Sequence, residues 1–136
     1  MKLDLNGDVV FRVGVGSCGL ANGAGPVLEA VATAVREAGR GRVKRVGCCG
    51  MCHREPLVEV VDGNGLQALY SHVTPAGAQS IVRQHLRPRN WLTRARWRAA
   101  ALAGNAAPAV PVADERELSS PRIVLENGGR VDPLDI

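Results

Sequence analysis

Aromatic side chains are scarce in this sequence: two Trp, one Tyr and one Phe among 136 residues. A core must therefore be built from Val, Leu, Ile and Ala, and the chain length suits one domain with at most an appendage. Long apolar runs are missing too. The longest weakly polar run, AAALAGNAAPAVPVA, falls short of the about 20 residues that cross a bilayer and is broken by Gly104, Asn105 and two prolines. At the start, MKLDLNGDVVF puts Asp4 and Asp8 where a secretory signal needs an uninterrupted apolar stretch. These two absences lead us to expect a cytoplasmic protein with no direct membrane insertion. Acidic residues are absent between Asp62 and Asp114, while Arg83, Arg87, Arg89, Arg94, Arg96 and Arg98 all fall in that interval. No nucleic-acid motif accompanies this basic stripe, so we read it as a solvated face or as a docking arm for an acidic protein.

What the sequence does hold is a cluster of thiols. Cys48, Cys49 and Cys52 lie within the stretch GCCGMCHREPLVEV, and Cys18 lies thirty residues earlier in VGVGSCGLANGAG. In a reducing compartment, clustered cysteines point to metal ligands or catalytic groups rather than structural bridges.

The surrounding pattern gives the elements. Val9, Phe11, Val13 and Val15 alternate with Val10, Arg12 and Gly14, as in a strand that enters a glycine-rich turn around Cys18. Val27, Leu28, Val31, Ala34, Val35 and Ala38 recur at helical spacing, with Pro26 in the first turn and Gly39 placed to stop the helix. RVKRVG is a second short strand. PLVEVV and LQALYS flank DGNG, whose Asp and Gly residues supply the positive φ angles of a hairpin. Thr74 as N-cap and Pro75 at the first position open a helix in which Ala78, Ile81, Val82, His85 and Leu86 share a face. The order β, α, β, β, β, α over residues 1–87 predicts an α/β, thioredoxin-like mixed sheet with two main helices. Residues 88–136 read as a basic helix, a Pro/Ala linker and one more short strand in PRIVLENGGRVDPLDI. Trp91 and Trp97, six apart, do not share a helix face cleanly, and packing against the main domain or a partner explains them better than base stacking.

Four chemistries compete for the cysteines. Cys49 to Cys52 spells CxxC, but a reactive dithiol needs the helix N-terminus that lowers its pKa, and here Pro56 and a strand follow. Gly14, Gly16 and Gly19 match GxGxxG after a strand, yet the second strand ends in Gly47 and Cys48, not in the acid that would hold a ribose. Zinc, with Cys18, Cys48, Cys49 and Cys52 or with His53 as substitute, remains an alternative, although structural zinc ligands come in closely spaced pairs and Cys18 is alone. An iron–sulfur cluster accounts best for thiols in two glycine-rich loops, because backbone N–H groups there can approach the sulfurs unobstructed. Parallel first and second strands would bring both loops to one sheet edge.

Three stretches carry a family resemblance: VGVGSCGLANGAGPVLEAVATAV, GCCGMCHREPLVEV and YSHVTPAGAQSIVRQHL. Together they resemble the thioredoxin-like [2Fe–2S] ferredoxin domain at the N-terminus of the flavin-carrying, NADH-oxidising (diaphorase) subunit of complex I, NAD-linked hydrogenases and formate dehydrogenases. PRIVLENGGRVDPLDI resembles the segment leading into the FMN- and NADH-binding domain of such subunits. The resemblance implies electron transfer through a [2Fe–2S] cluster, as a module of an NADH-dependent multi-subunit oxidoreductase. FMN and NAD would be present only in the complete complex, no NADH oxidation is expected from this chain alone, and the implied partners are the other subunits or the flavin domain. The family's ligand pattern is Cys-x4-Cys then Cys-x3-Cys. Cys18, Cys48 and Cys52 match three positions, Val13 occupies the fourth, and Cys49 is a candidate replacement. A cluster-less assembly domain of the same complex is the alternative that this departure raises.

Overall fold

The computed structural model describes residues 9–48, 50–63, 65–103 and 110–111. Strand β1 (Val10–Gly14) leads into a short helix α1 (Ser17–Ala21) and then α2 (Ala24–Ala38). Strand β2 (Arg42–Val46) follows, then a single 3-10 turn (Cys52–Arg54), and the hairpin of β3 (Val58–Asp62) and β4 (Gly65–Ser71). Helices α3 (Pro75–His85) and α4 (Trp91–Leu102) and a two-residue strand β5 (Val110–Pro111) complete the described chain. Cys49 and the last strand expected within 121–136 lie outside the described residues, as does most of the Pro/Ala linker. The part of that linker that is described, Val110–Pro111, pairs with β4.

The sheet order is β2-β1-β3-β4-β5. β1 and β2 run parallel, with Phe11 opposite Val43, while β1/β3 and β3/β4 are antiparallel. A parallel pair needs a crossover, and α2 supplies it. Its ends are as the sequence implies: Pro26 sits in the first turn, and Gly39 takes the left-handed conformation (φ 67°) that ends the helix. In α3, Thr74 caps through its hydroxyl, which accepts from the Gly77 N–H at 3.1 Å, and Pro75 occupies the first turn where no partner is lost.

Phe11 and Val13 from one side of β1, and Val15 just beyond it, pack with Val27, Val31, Val35, Ile81 and Val82 of α2 and α3 in a mostly aliphatic core. Tyr70 closes this core with a polar tip, its hydroxyl 2.8 Å from His85 Nε2. Burial raises the Tyr70 pKa and lowers that of His85, so both are neutral around pH 7 and share one proton-mediated contact. On the opposite side of the sheet Arg12 pairs with Glu59 across β1 and β3 at 3.1 Å.

Two features depart from the sequence expectation or extend it. The turn expected around Cys18 is helical, α1, with Gly16 as N-cap and the Asn22 N–H closing on Cys18 and Gly19 carbonyls. Trp97 of α4 is buried in the main core cluster, whereas Trp91 is 72% exposed. The backbone at the start of this segment is also tied down, with the Arg89 N–H donating to the Ala38 carbonyl at 3.0 Å. No helix among the described residues is long and apolar enough to cross a membrane.

Candidate metal centre

The parallel pairing of β1 and β2 places the loops that follow them side by side. The two chains stay joined past the strand end, where the Val15 N–H donates to the Val46 carbonyl at 2.9 Å. Next in line, Gly16 touches Cys48: a Cβ at Gly16 would lie 3.2 Å from the Cys48 nitrogen and 3.4 Å from its Cβ. A glycine is what lets the first loop approach the second this closely.

Within the second loop Cys48 and Cys52 face each other, with their Sγ atoms 3.4 Å apart. Gly50, at φ 89°, turns the backbone so that its N–H donates to Cys48 Sγ at 3.2 Å. The 3-10 turn that follows is closed by the Arg54 N–H on the Met51 carbonyl, and its exit is strapped to the end of β4. There His72 N–H donates to the Arg54 carbonyl and Val73 N–H to the Pro56 carbonyl, at 3.0 and 3.1 Å. The loop is thus held at both ends by the sheet.

Two thiolates about 2.3 Å from one tetrahedral metal lie roughly 3.8 Å apart, so the Cys48 and Cys52 pair fits a single iron with a small adjustment. Cys18 lies on α1, exposed, in the neighbouring loop. Val13, where the sequence resemblance leads one to expect a fourth thiol, is fully buried in β1 and offers no donor atom. His53 turns its Nε2 to accept from Arg54 Nε at 3.2 Å. Among the described residues no three Cys, His, Asp or Glu side chains converge closely enough to hold a metal ion.

At Cys48 the electrostatics argue against an activated thiol. The Gly50 N–H favours the Cys48 thiolate, but burial, the hydrogen bond and charge of Cys52, and the charge of Glu55 outweigh it and raise the pKa. A dithiol enzyme needs the reverse.

Sequence reasoning missed Glu55. The residue is 5% exposed, and neither of its buried carboxyl oxygens has a hydrogen-bond partner. It is wedged under the first loop, within 3.2 Å of a Cβ position on Gly14 and 2.9 Å of one on Gly19. Burial raises its pKa; the Leu57 N–H pulls the other way without hydrogen-bond geometry. An acid between Arg54 and Pro56 reads as a turn residue, and no periodicity marks it as buried.

No protein-family model matches the chain, and no curated protein matches it by sequence. Among solved structures it is similar to the thioredoxin-like [2Fe-2S] ferredoxin from Aquifex aeolicus, with a TM-score of 0.50 and 20% identity, over 58% of this chain and 85% of that one. At that identity the likeness concerns architecture, and it agrees with the strand order and helix placement above: the chain has the thioredoxin-like fold.

Proposed function

We propose that the chain holds a [2Fe–2S] cluster and transfers single electrons as a module of an NADH-dependent multi-subunit oxidoreductase. The observation that carries this reading is the Cys48 and Cys52 thiol pair, 3.4 Å apart, beneath a glycine loop that leads directly to Cys18. Cys48 and Cys52 would hold one iron and Cys18 would contribute to the other; bound there, the cluster supplies a one-electron couple. The chain's own part is to aim the Gly50 N–H at sulfur and to fix both loops on parallel strands, which limits reorganisation when charge changes. The name of the structural neighbour, a [2Fe-2S] ferredoxin, supports the same reading. Terminal donor and acceptor are not encoded in this fold.

A second reading, a cluster-less assembly domain of the same kind of complex, is favoured by one observation: Val13 is sealed in the core, and among the described residues no third donor joins the thiol pair. Anaerobic reconstitution with iron and sulfide separates the two. We expect about two irons and matching acid-labile sulfide per chain, with a paramagnetic signal after one-electron reduction. Serine at Cys18, Cys48 or Cys52 should lower the iron content, whereas Cys49→Ser should retain it. Stoichiometric zinc with no visible absorption would overturn the iron–sulfur reading, and a metal-free protein would favour the assembly domain.

A further inference from the structure

α3 starts at the cysteine end of the sheet, just after β4, and runs away from it. Its last turns therefore lie toward the opposite end, where α4 packs against them through Trp97. Between the two helices is a cavity of about 480 Å³ lined by Arg83, Arg87, Arg94 and Arg98 around an apolar floor that includes Leu86 and Trp97. The Arg83 guanidinium lies over the Trp97 ring, 5.8 Å from its centre. Arg83 Nε and Trp97 Nε1 are covered and have no acceptor, so their N–H dipoles add to the positive potential unquenched. No acid neutralises this cluster from its own stretch of sequence, because none occurs between Asp62 and Asp114.

The cavity continues into an exposed ridge. Trp91, Arg94, Arg98 and Leu102 follow one another at spacings of three and four residues along α4, so they share a face. Trp91 is 72% and Leu102 90% exposed, one at each end of the helix, with the two arginines between them. A small anion would use the arginines and leave both apolar ends in water. A nucleic acid would want more stacking platforms than one exposed Trp provides. What matches the whole length is a protein segment of about three helical turns, carrying carboxylates along its centre and apolar side chains at its ends.

We propose that the α3/α4 groove is a docking site for an acidic amphipathic helix of a partner protein. The choice of a protein as occupant rests on the module reading above; the surface itself does not depend on the cysteines. Docking here would leave the thiol end of the sheet free for electron exchange with another surface.

The test uses the full chain, with and without reconstituted iron, and follows its two tryptophans by fluorescence. The probe is a synthetic helix of about three turns with Glu and Leu at helical spacing; controls are its shuffled sequence, a thymidine oligonucleotide and inorganic phosphate. We expect saturable binding of the ordered peptide, weakening as salt rises, and the same affinity with or without iron. Arg94→Glu with Arg98→Glu should weaken it by about tenfold or more, and Trp91→Ala by several-fold, while the milder Arg98→Ala gives an intermediate loss. These side chains are exposed, and an unchanged far-UV spectrum checks that the fold is intact. No binding of the ordered peptide, equal binding by the charge-reversed chain, or equally tight binding of the shuffled peptide, oligonucleotide or phosphate would each overturn the assignment. Peptide binding by a chain that takes up no iron would leave the docking site standing and remove only the electron-transfer reading.

Discussion

Gly19 is where the candidate centre is most tightly built, and replacing it with alanine tests the loop geometry directly. An added Cβ would lie 2.5 Å from the Gly14 carbonyl oxygen and 2.9 Å from Glu55 Oε2. The first obstacle is backbone of β1 and cannot rotate aside, so α1 must lift away from the sheet. Overpacking of this kind costs about 1 to 3 kcal/mol, and alanine's better helix propensity returns at most about 1 kcal/mol. The net expectation is a loss between about 0 and 3 kcal/mol, centred near about 1.5 kcal/mol, from the difference of those two ranges. Gly25 in α2 is the internal control: its Cβ would meet nothing within 4 Å, and its φ is not positive. Gly25→Ala should therefore gain up to about 1 kcal/mol. Urea unfolding followed by tryptophan fluorescence reads both, since a slope of about 1 to 3 kcal/mol per molar turns these energies into shifts of several tenths of a molar or more, in opposite directions. Adding Glu55→Ala should relieve less than half of the Gly19→Ala loss, because the carbonyl is the closer obstacle. If Gly19→Ala stabilises as Gly25→Ala does, the packing of α1 on β1 is wrong and Cys18 is not held where this fold puts it.

Three further outcomes follow from burial and charge. Because the folded-state pKa of Glu55 is raised above its ordinary 4.5, the unfolded chain releases this proton first as pH rises, so stability falls from about 4.5 up through the folded pKa. In the metal-free chain Glu55→Gln should match wild type near pH 4 and be more stable near pH 8; a gap that does not change with pH refutes the buried-acid argument. For His85 the sign is opposite: with its folded pKa depressed below 6.5, the unfolded chain takes up the proton first and stability falls as pH drops below 6.5. His85→Gln should flatten that acid limb in urea titrations across pH. Trp97→Ala should cost about 3 to 5 kcal/mol in thermal or urea unfolding, and a cost under about 1 kcal/mol would mean that α4 is not part of the core.

The elements that were legible in the sequence are those whose ends carry their own chemistry. Thr74 and Pro75 mark the start of α3, Gly39 stops α2, and the DGNG stretch separates two alternating runs; each is a local backbone requirement that needs no tertiary information. α1 was not legible for the opposite reason. Five residues containing Gly19 have little intrinsic tendency to form a helix, and α1 exists because Gly19 can lie directly on the Gly14 carbonyl. Trp97 was half legible: its spacing from Trp91 implied different surroundings for the two rings, but not that one of them enters the main core.

The candidate centre divides along the same line. The clustering of cysteines drew attention to both loops, the family resemblance singled out Cys18, Cys48 and Cys52 among the four, and the parallel strands implied that their loops meet, as the Gly16 contact with Cys48 shows. The meeting is possible because both loops leave the same end of adjacent strands. That argument is topological and depends on no individual side chain. Glu55 depends on one. Strapping residues 54 and 56 to the end of β4 forces the residue between them inward, under α1, whatever its polarity. A small or apolar side chain there would be unremarkable, so the sequence position carried no warning. The carboxyl is therefore a cost imposed by the strap rather than by any pattern in the chain, and it stands against Gly14 and Gly19, beside the loop that carries Cys18. Removing its charge should stabilise the apoprotein as argued above. If Glu55→Gln also leaves the iron content of reconstituted protein unchanged, the carboxyl has no part in holding metal; a fall in iron despite the gain in stability would place it among the donors.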